Sequence, residues 1–139
     1  MANDITPALR SDVVLRAHRC CEYCLIHEND TAFRPQVDHI VSRKHGGNSL
    51  FENLAYACVL CNRRKSGDVA SIDNASGQLV RLFHPRQDLW TDHFKVDGHS
   101  IRPLSEIGAA TAKLLHFNAP ERLAERALLQ TLRKYPTES

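Results

Sequence analysis

QVDHIVSRKHGGNSLFENLAYACVLCNRRKS, residues 36–66, is the stretch whose reading decides the fold. It opens with a short apolar run, Val37-Asp38-His39-Ile40-Val41, that carries two polar groups side by side. A polar loop around Gly46-Gly47-Asn48-Ser49 follows, then a second extended piece, Leu54-Ala55-Tyr56-Ala57. Cys58-Val59-Leu60-Cys61 leads into the basic turn NRRKS. The pattern predicts strand, loop, strand, helix. A carboxylate in an apolar strand needs a partner, so Asp38 beside His39 is either a structural hydrogen-bonded pair or part of a reactive site. Strict strand geometry sends the two side chains to opposite faces. They serve one site only from a strand end or a twisted hairpin.

Cys21-x-x-Cys24 repeats the spacing of Cys58-x-x-Cys61. Each turn brings two thiolates within reach of one ion, and two such turns complete a tetrahedral shell suited to Zn²⁺. The 33 residues between the pairs leave room for a hairpin and its loop, pinned at both ends. Buried free thiols or a redox pair are the alternatives. A closed four-thiolate site has no open position for water, so zinc here supports folding and not catalysis. Cys20 lacks a partner at this spacing and reads as a small packing residue.

The 139 residues are 42% hydrophobic and 24% charged, with a formal net charge of +2. These values fit one ordinary globular domain over 1–139 and argue for no partner by charge alone. No run reaches the ~18 apolar residues of a membrane span, and the opening MANDITPALRSD has neither a basic nor an apolar leader segment, which makes the cytoplasm the default expectation. Reduced thiols and metal ligands belong to that compartment. Residues 7–19 are predicted as a helix started by Pro7, 25–35 as loop, and 77–83 as a strand. A short helix is expected over 86–94, and a hairpin at 95–101 closed by Asp97-Gly98. Helices over 105–117 and 120–134 finish the chain, with Ile107, Ala110, Leu114 and Leu115, then Leu123, Ala127, Leu128 and Leu132, as their apolar faces. The fold class is α+β.

Taken together, Cys-Glu-Tyr-Cys, Asp-His-Ile, His-Gly-Gly, Asn-Leu and Cys-x-x-Cys-Asn-x-x-Lys resemble the HNH family of endonucleases, the ββα-metal nucleases, over about residues 16–68. The stretch from 77 to 117 also resembles an extension of small bacterial members. The resemblance implies a ββα-metal core at 12–75 pinned by a four-cysteine zinc site, with 76–139 as a C-terminal extension of helices and a short hairpin packing on it. It implies that Asp38 ligates a catalytic Mg²⁺ or Mn²⁺, that His39 is the general base, and that Asn53 bonds across the loop to orient His39. Asn62, where many members carry histidine, becomes the second protein ligand. Lys65, Arg63 or Arg64 would steady charge on phosphorus. Arg43, Lys44, Arg63 and Arg64 border the site as candidate contacts to a DNA backbone.

The expected activity is nicking of DNA, leaving a 5′-phosphate and a 3′-hydroxyl. The alternative is a zinc-stabilised nucleic-acid-binding module without catalysis. A homodimer or a targeting partner protein is an open expectation, since no separate recognition element is legible.

Overall fold

A computed structural model describes residues 5–137; residues 1–4, part of the segment read for a leader, and 138–139 lie outside the described residues. The chain begins with α1 (Pro7–Arg16). Thr6 caps it by accepting from the Leu9 N–H at 3.1 Å, Pro7 occupies the first turn, and Arg16 faces the carbonyl end. These are the preferences of helix termini. The helix stops earlier than residue 19 because His18 and Arg19 take positive φ values of 53° and 63°.

The stretch 36–66 folds as its pattern predicts. β1 (Gln36–His39) and β2 (Leu54–Ala57) pair antiparallel, with Asp38 opposite Ala55 and His39 opposite Leu54. α2 (Val59–Lys65) starts on Cys58, whose Sγ accepts from the Cys61 N–H at 3.4 Å. One face of the hairpin packs on α1 through Val13, Ala17, Leu54 and Tyr56, with Val37 against them. The other face carries Ala55 and Ala57 into a cluster with the four paired cysteines.

Beyond α2, β3 (Ala70–Ile72) pairs with β4 (Leu79–Arg81). β3 is absent from the sequence reading because Ser71 breaks its short apolar pattern. α3 is confined to Trp90–His93, since His84 and Asp88 tie residues 84–88 into a turn: Asp88 accepts from the His84 N–H at 2.8 Å and pairs with Arg81 at 2.8 Å. β5 (Phe94–Asp97) and β6 (Ser100–Pro103) form the expected hairpin, but Asp97 pairs with Ser100 and the turn residues are Gly98 and His99, one place later than read. α4 (Glu106–Leu114) is capped by Ser105, and α5 (Pro120–Thr131) opens on Pro120. Gly108 sits so close to the His93 carbonyl that an added Cβ would lie 2.2 Å from its oxygen.

The extension shares its core with the cysteine cluster: Phe94, Ile101, Leu115, Phe117 and Leu129 pack with Cys21, Cys24, Cys58 and Cys61. α4 buries the face read for it. α5 does not. Leu128 and Leu132 are exposed, whereas Arg122, Arg126 and Leu129 are buried. The face of α5 that meets the core is the one carrying two arginines, a choice that apolar periodicity cannot foresee.

Candidate metal centre and active site

Cys21, Cys24, Cys58 and Cys61 are all buried, and their sulfurs lie within 4.8 Å of one another. The first pair comes from the turn after α1, where the Cys24 N–H donates to Cys21 Sγ at 3.4 Å; the second comes from the start of α2. Burial pushes the Cys21 and Cys61 thiols up. Hydrogen bonds among the four sulfurs hold the Cys24 thiol well below its ordinary value. This is a closed, four-sulfur donor set, and its size and chemistry fit Zn²⁺.

A cation already stands against it. Arg122, 6% exposed, donates to Cys61 Sγ at 3.5 Å and to Cys58 Sγ at 3.8 Å, with Leu115 O as its third acceptor at 3.0 Å. Burial pulls this guanidinium's pKa down, but the charges of Cys61, Cys24 and Cys58 outweigh it and hold the pKa raised. A buried cation needs anionic partners. Thiolate sulfurs around a bound metal would supply them.

On the other side of the hairpin, His39 and Val37 leave β1 toward α1, and His39 stands at the strand's end. Its Nε2 is 2.9 Å from Ser49 Oγ. Desolvation lowers its pKa from the ordinary histidine value, with Arg43 and Lys65 adding to the shift and Asp38 opposing it. The 41–53 loop that carries Ser49 is clamped by Asn53. Its Oδ1 accepts from the Val41 N–H at 3.0 Å, and its Nδ2 donates to Val41 O at 2.9 Å and Asn48 O at 2.7 Å. Gly47 is built into the same clamp, because a Cβ there would fall 1.7 Å from Val41 O. Asn53 therefore bonds across the loop that carries Ser49.

Asp38 leaves β1 on the opposite face, under α2. It is 4% exposed, and Tyr23 Oη donates to its Oδ2 at 2.8 Å while Lys65 Nζ reaches the same oxygen at 3.2 Å. Burial raises the Asp38 pKa, with Lys65 and Tyr23 pulling the other way. Lys65 is itself 1% exposed and also donates to His39 O and Ile40 O, both at 3.2 Å. In this arrangement the three acceptors of Lys65 are internal: Asp38 and the carbonyls of His39 and Ile40. Asn62, one turn earlier on the same face of α2, donates to Gln36 Oε1 at 2.6 Å.

The divalent ion implied by the resemblance would need Asp38 and Asn62 together. These residues do not fit it as arranged, since the carboxylate is buried against an ammonium and the amide is turned to Gln36. Of the basic residues, Arg43 and Lys44 are exposed on the turn before Gly46. Arg63 and Arg64 are exposed on α2, with Arg63 lining a cavity beside Cys58 and Arg122. The four cations thus border two different regions.

Tyr23, Ser49 and Arg122 are missing from the sequence reading. Tyr23 lies inside the first Cys-x-x-Cys turn, so its place under Asp38 has a local signal; Arg122, on a helix 61 residues beyond Cys61, has none. The family model described as HNH endonuclease matches residues 21–68. Comparison with curated proteins finds no match, and neither does comparison with solved structures. Among the described residues no helix is long and apolar enough to cross a membrane. The matched segment starts at the first metal-site cysteine and runs through both strands and α2, so the likeness to the HNH endonuclease model spans the hairpin and all four clustered cysteines.

Proposed function

We propose that the protein hydrolyses phosphodiester bonds of DNA, with His39 as the general base. One observation carries this reading: a half-buried imidazole at a strand end, held at Nε2 by Ser49 on a loop that Asn53 and Gly47 clamp shut. With Nε2–H donating to Ser49 Oγ, the Nδ1 lone pair is left to take a proton from an attacking water. Water oxygen bonds to phosphorus as its proton passes to His39, the bond from phosphorus to the 3′-oxygen breaks, and the leaving oxygen takes a proton from solvent. The products are a 5′-phosphate and a 3′-hydroxyl, one nick per site. Arg43 and Lys44, exposed beside this loop, are the cations best placed to meet the backbone.

Family resemblance implies Mg²⁺ or Mn²⁺ as the catalytic ion. Asp38 and Asn62 do not form its site in this arrangement, and the proton transfer at His39 stands on the protein's own atoms. The same reading treats 12–75 as the core and 76–139 as an extension packed on it, which the shared apolar cluster supports.

A second reading is favoured by the buried Asp38–Lys65 pair: the domain binds nucleic acid and no longer cleaves it. Relaxation of supercoiled plasmid decides between the two. Zinc-loaded protein and His39→Ala are incubated with plasmid in EDTA, Mg²⁺ or Mn²⁺. Open circles with the wild type and none with His39→Ala are the expected result. Equal cleavage by both would remove His39 from the chemistry, and a salt-sensitive mobility shift without cleavage would establish the binding module.

A further inference from the structure

We infer that Arg122, on a helix outside the HNH segment, is a working part of the zinc centre: it neutralises and shields the sulfurs of Cys58 and Cys61, and so controls how fast the ion is lost. Four thiolates around Zn²⁺ would leave the group with two negative charges among buried side chains. A guanidinium donating to two of the sulfurs lowers that charge and draws electron density from them, which makes them poorer targets for protons and competing metals.

The surroundings agree with this role. Arg122 has no carboxylate among its hydrogen-bond acceptors; they are the two sulfurs and Leu115 O. Glu125, one turn further along α5, is exposed; burial raises its pKa, and the Arg122 charge pulls the other way across the shared cavity. A cavity of about 200 Å³, lined by Phe33, Cys58, Leu60, Arg63, Arg122 and Glu125 among others, opens directly onto this side of the centre. Arg122 lines that opening together with Cys58. The neighbouring Arg126 makes a built-in contrast: it is as deeply buried on the same helix, yet it donates to His99 O at 2.6 Å and Phe117 O at 2.8 Å and touches no sulfur.

The proposal does not depend on nuclease activity. The test is zinc transfer from the full-length, zinc-loaded protein to the chromogenic chelator 4-(2-pyridylazo)resorcinol, followed for wild type, Arg122→Gln, Arg122→Lys and Arg126→Gln. Circular dichroism and zinc stoichiometry are checked for each. Arg122→Gln should release zinc at least about tenfold faster than wild type, the scale of losing one hydrogen bond to a charged group. Arg122→Lys, which keeps the charge, should fall between them, and Arg126→Gln should stay near wild type. An Arg122→Gln protein that purifies unfolded and without zinc, beside a folded and loaded Arg126→Gln, supports the same conclusion. Equal release from Arg122→Gln and wild type overturns it. So does equal behaviour of Arg122→Gln and Arg126→Gln, which would assign the effect to helix docking in general.

Discussion

The two faces of the β1–β2 hairpin are built on opposite principles. On the α2 side the buried polar groups answer one another: four sulfurs face one another and Arg122, and Asp38 faces Lys65 and Tyr23. On the α1 side the hairpin ends in an imidazole held at one nitrogen, beside a loop that is clamped by hydrogen bonds and still exposes Arg43, Lys44 and His45. The closed face commits its polar groups to structure. The open face holds the imidazole on which the proposed chemistry rests. The contrast explains why two adjacent residues, Asp38 and His39, have different fates: strand alternation delivers one to each side.

Removing the ion tests the closed face most severely. Chelation by a strong zinc chelator, or Cys61→Ser, should unfold the hairpin and the extension together, because structural zinc contributes on the order of 10 kcal/mol and the extension shares the cysteine core. Loss of near-ultraviolet dichroism from Trp90 on zinc removal is the readout, and a folded apoprotein would break the comparison. Next in size is Asp38→Ala, which strands the buried Lys65 ammonium and should cost about 3–5 kcal/mol in denaturant unfolding. The paired change Asp38→Leu with Lys65→Met should recover most of that loss. If the double variant also keeps cleavage, Asp38 belongs to structure; if it folds but no longer cleaves, Asp38 belongs to the open face after all.

Changes on the open face should be smaller in stability and visible in activity. Gly47→Ala forces a Cβ against Val41 O and should cost about 1–3 kcal/mol while lowering plasmid cleavage well beyond that of a surface substitution. Zinc content should not change. Ser49→Ala removes one hydrogen bond to His39, worth about 1 kcal/mol, so cleavage should fall roughly fivefold with melting almost unmoved. A Ser49→Ala enzyme as inactive as His39→Ala would mean that Ser49 does more than hold the ring.

What was legible in the sequence follows the same division. The hairpin, the start of α2 and the four metal-site cysteines are all local: each rests on side-chain alternation or on two-residue cysteine spacing, whereas the end of β1 at His39, two residues before the strand read over 36–41 would stop, was not legible. The partners of the buried charges were not legible. Lys65 looks, in one dimension, like one more cation of a basic turn, and only the packing of α2 across β1 turns it inward to Asp38, 27 residues away.

By itself, the sequence determined the chemistry available, namely four sulfurs at zinc spacing and a histidine beside a clamped loop. Tertiary structure alone decided which charges would be buried, and against what. α5 shows why. Its leucines at 128 and 132 offer the larger hydrophobic gain, yet the helix turns Arg122 and Arg126 inward, to sulfurs and carbonyls that would otherwise be buried without donors. Satisfying a buried anionic centre outweighs covering two leucines, and no pattern of apolar residues records where that centre is.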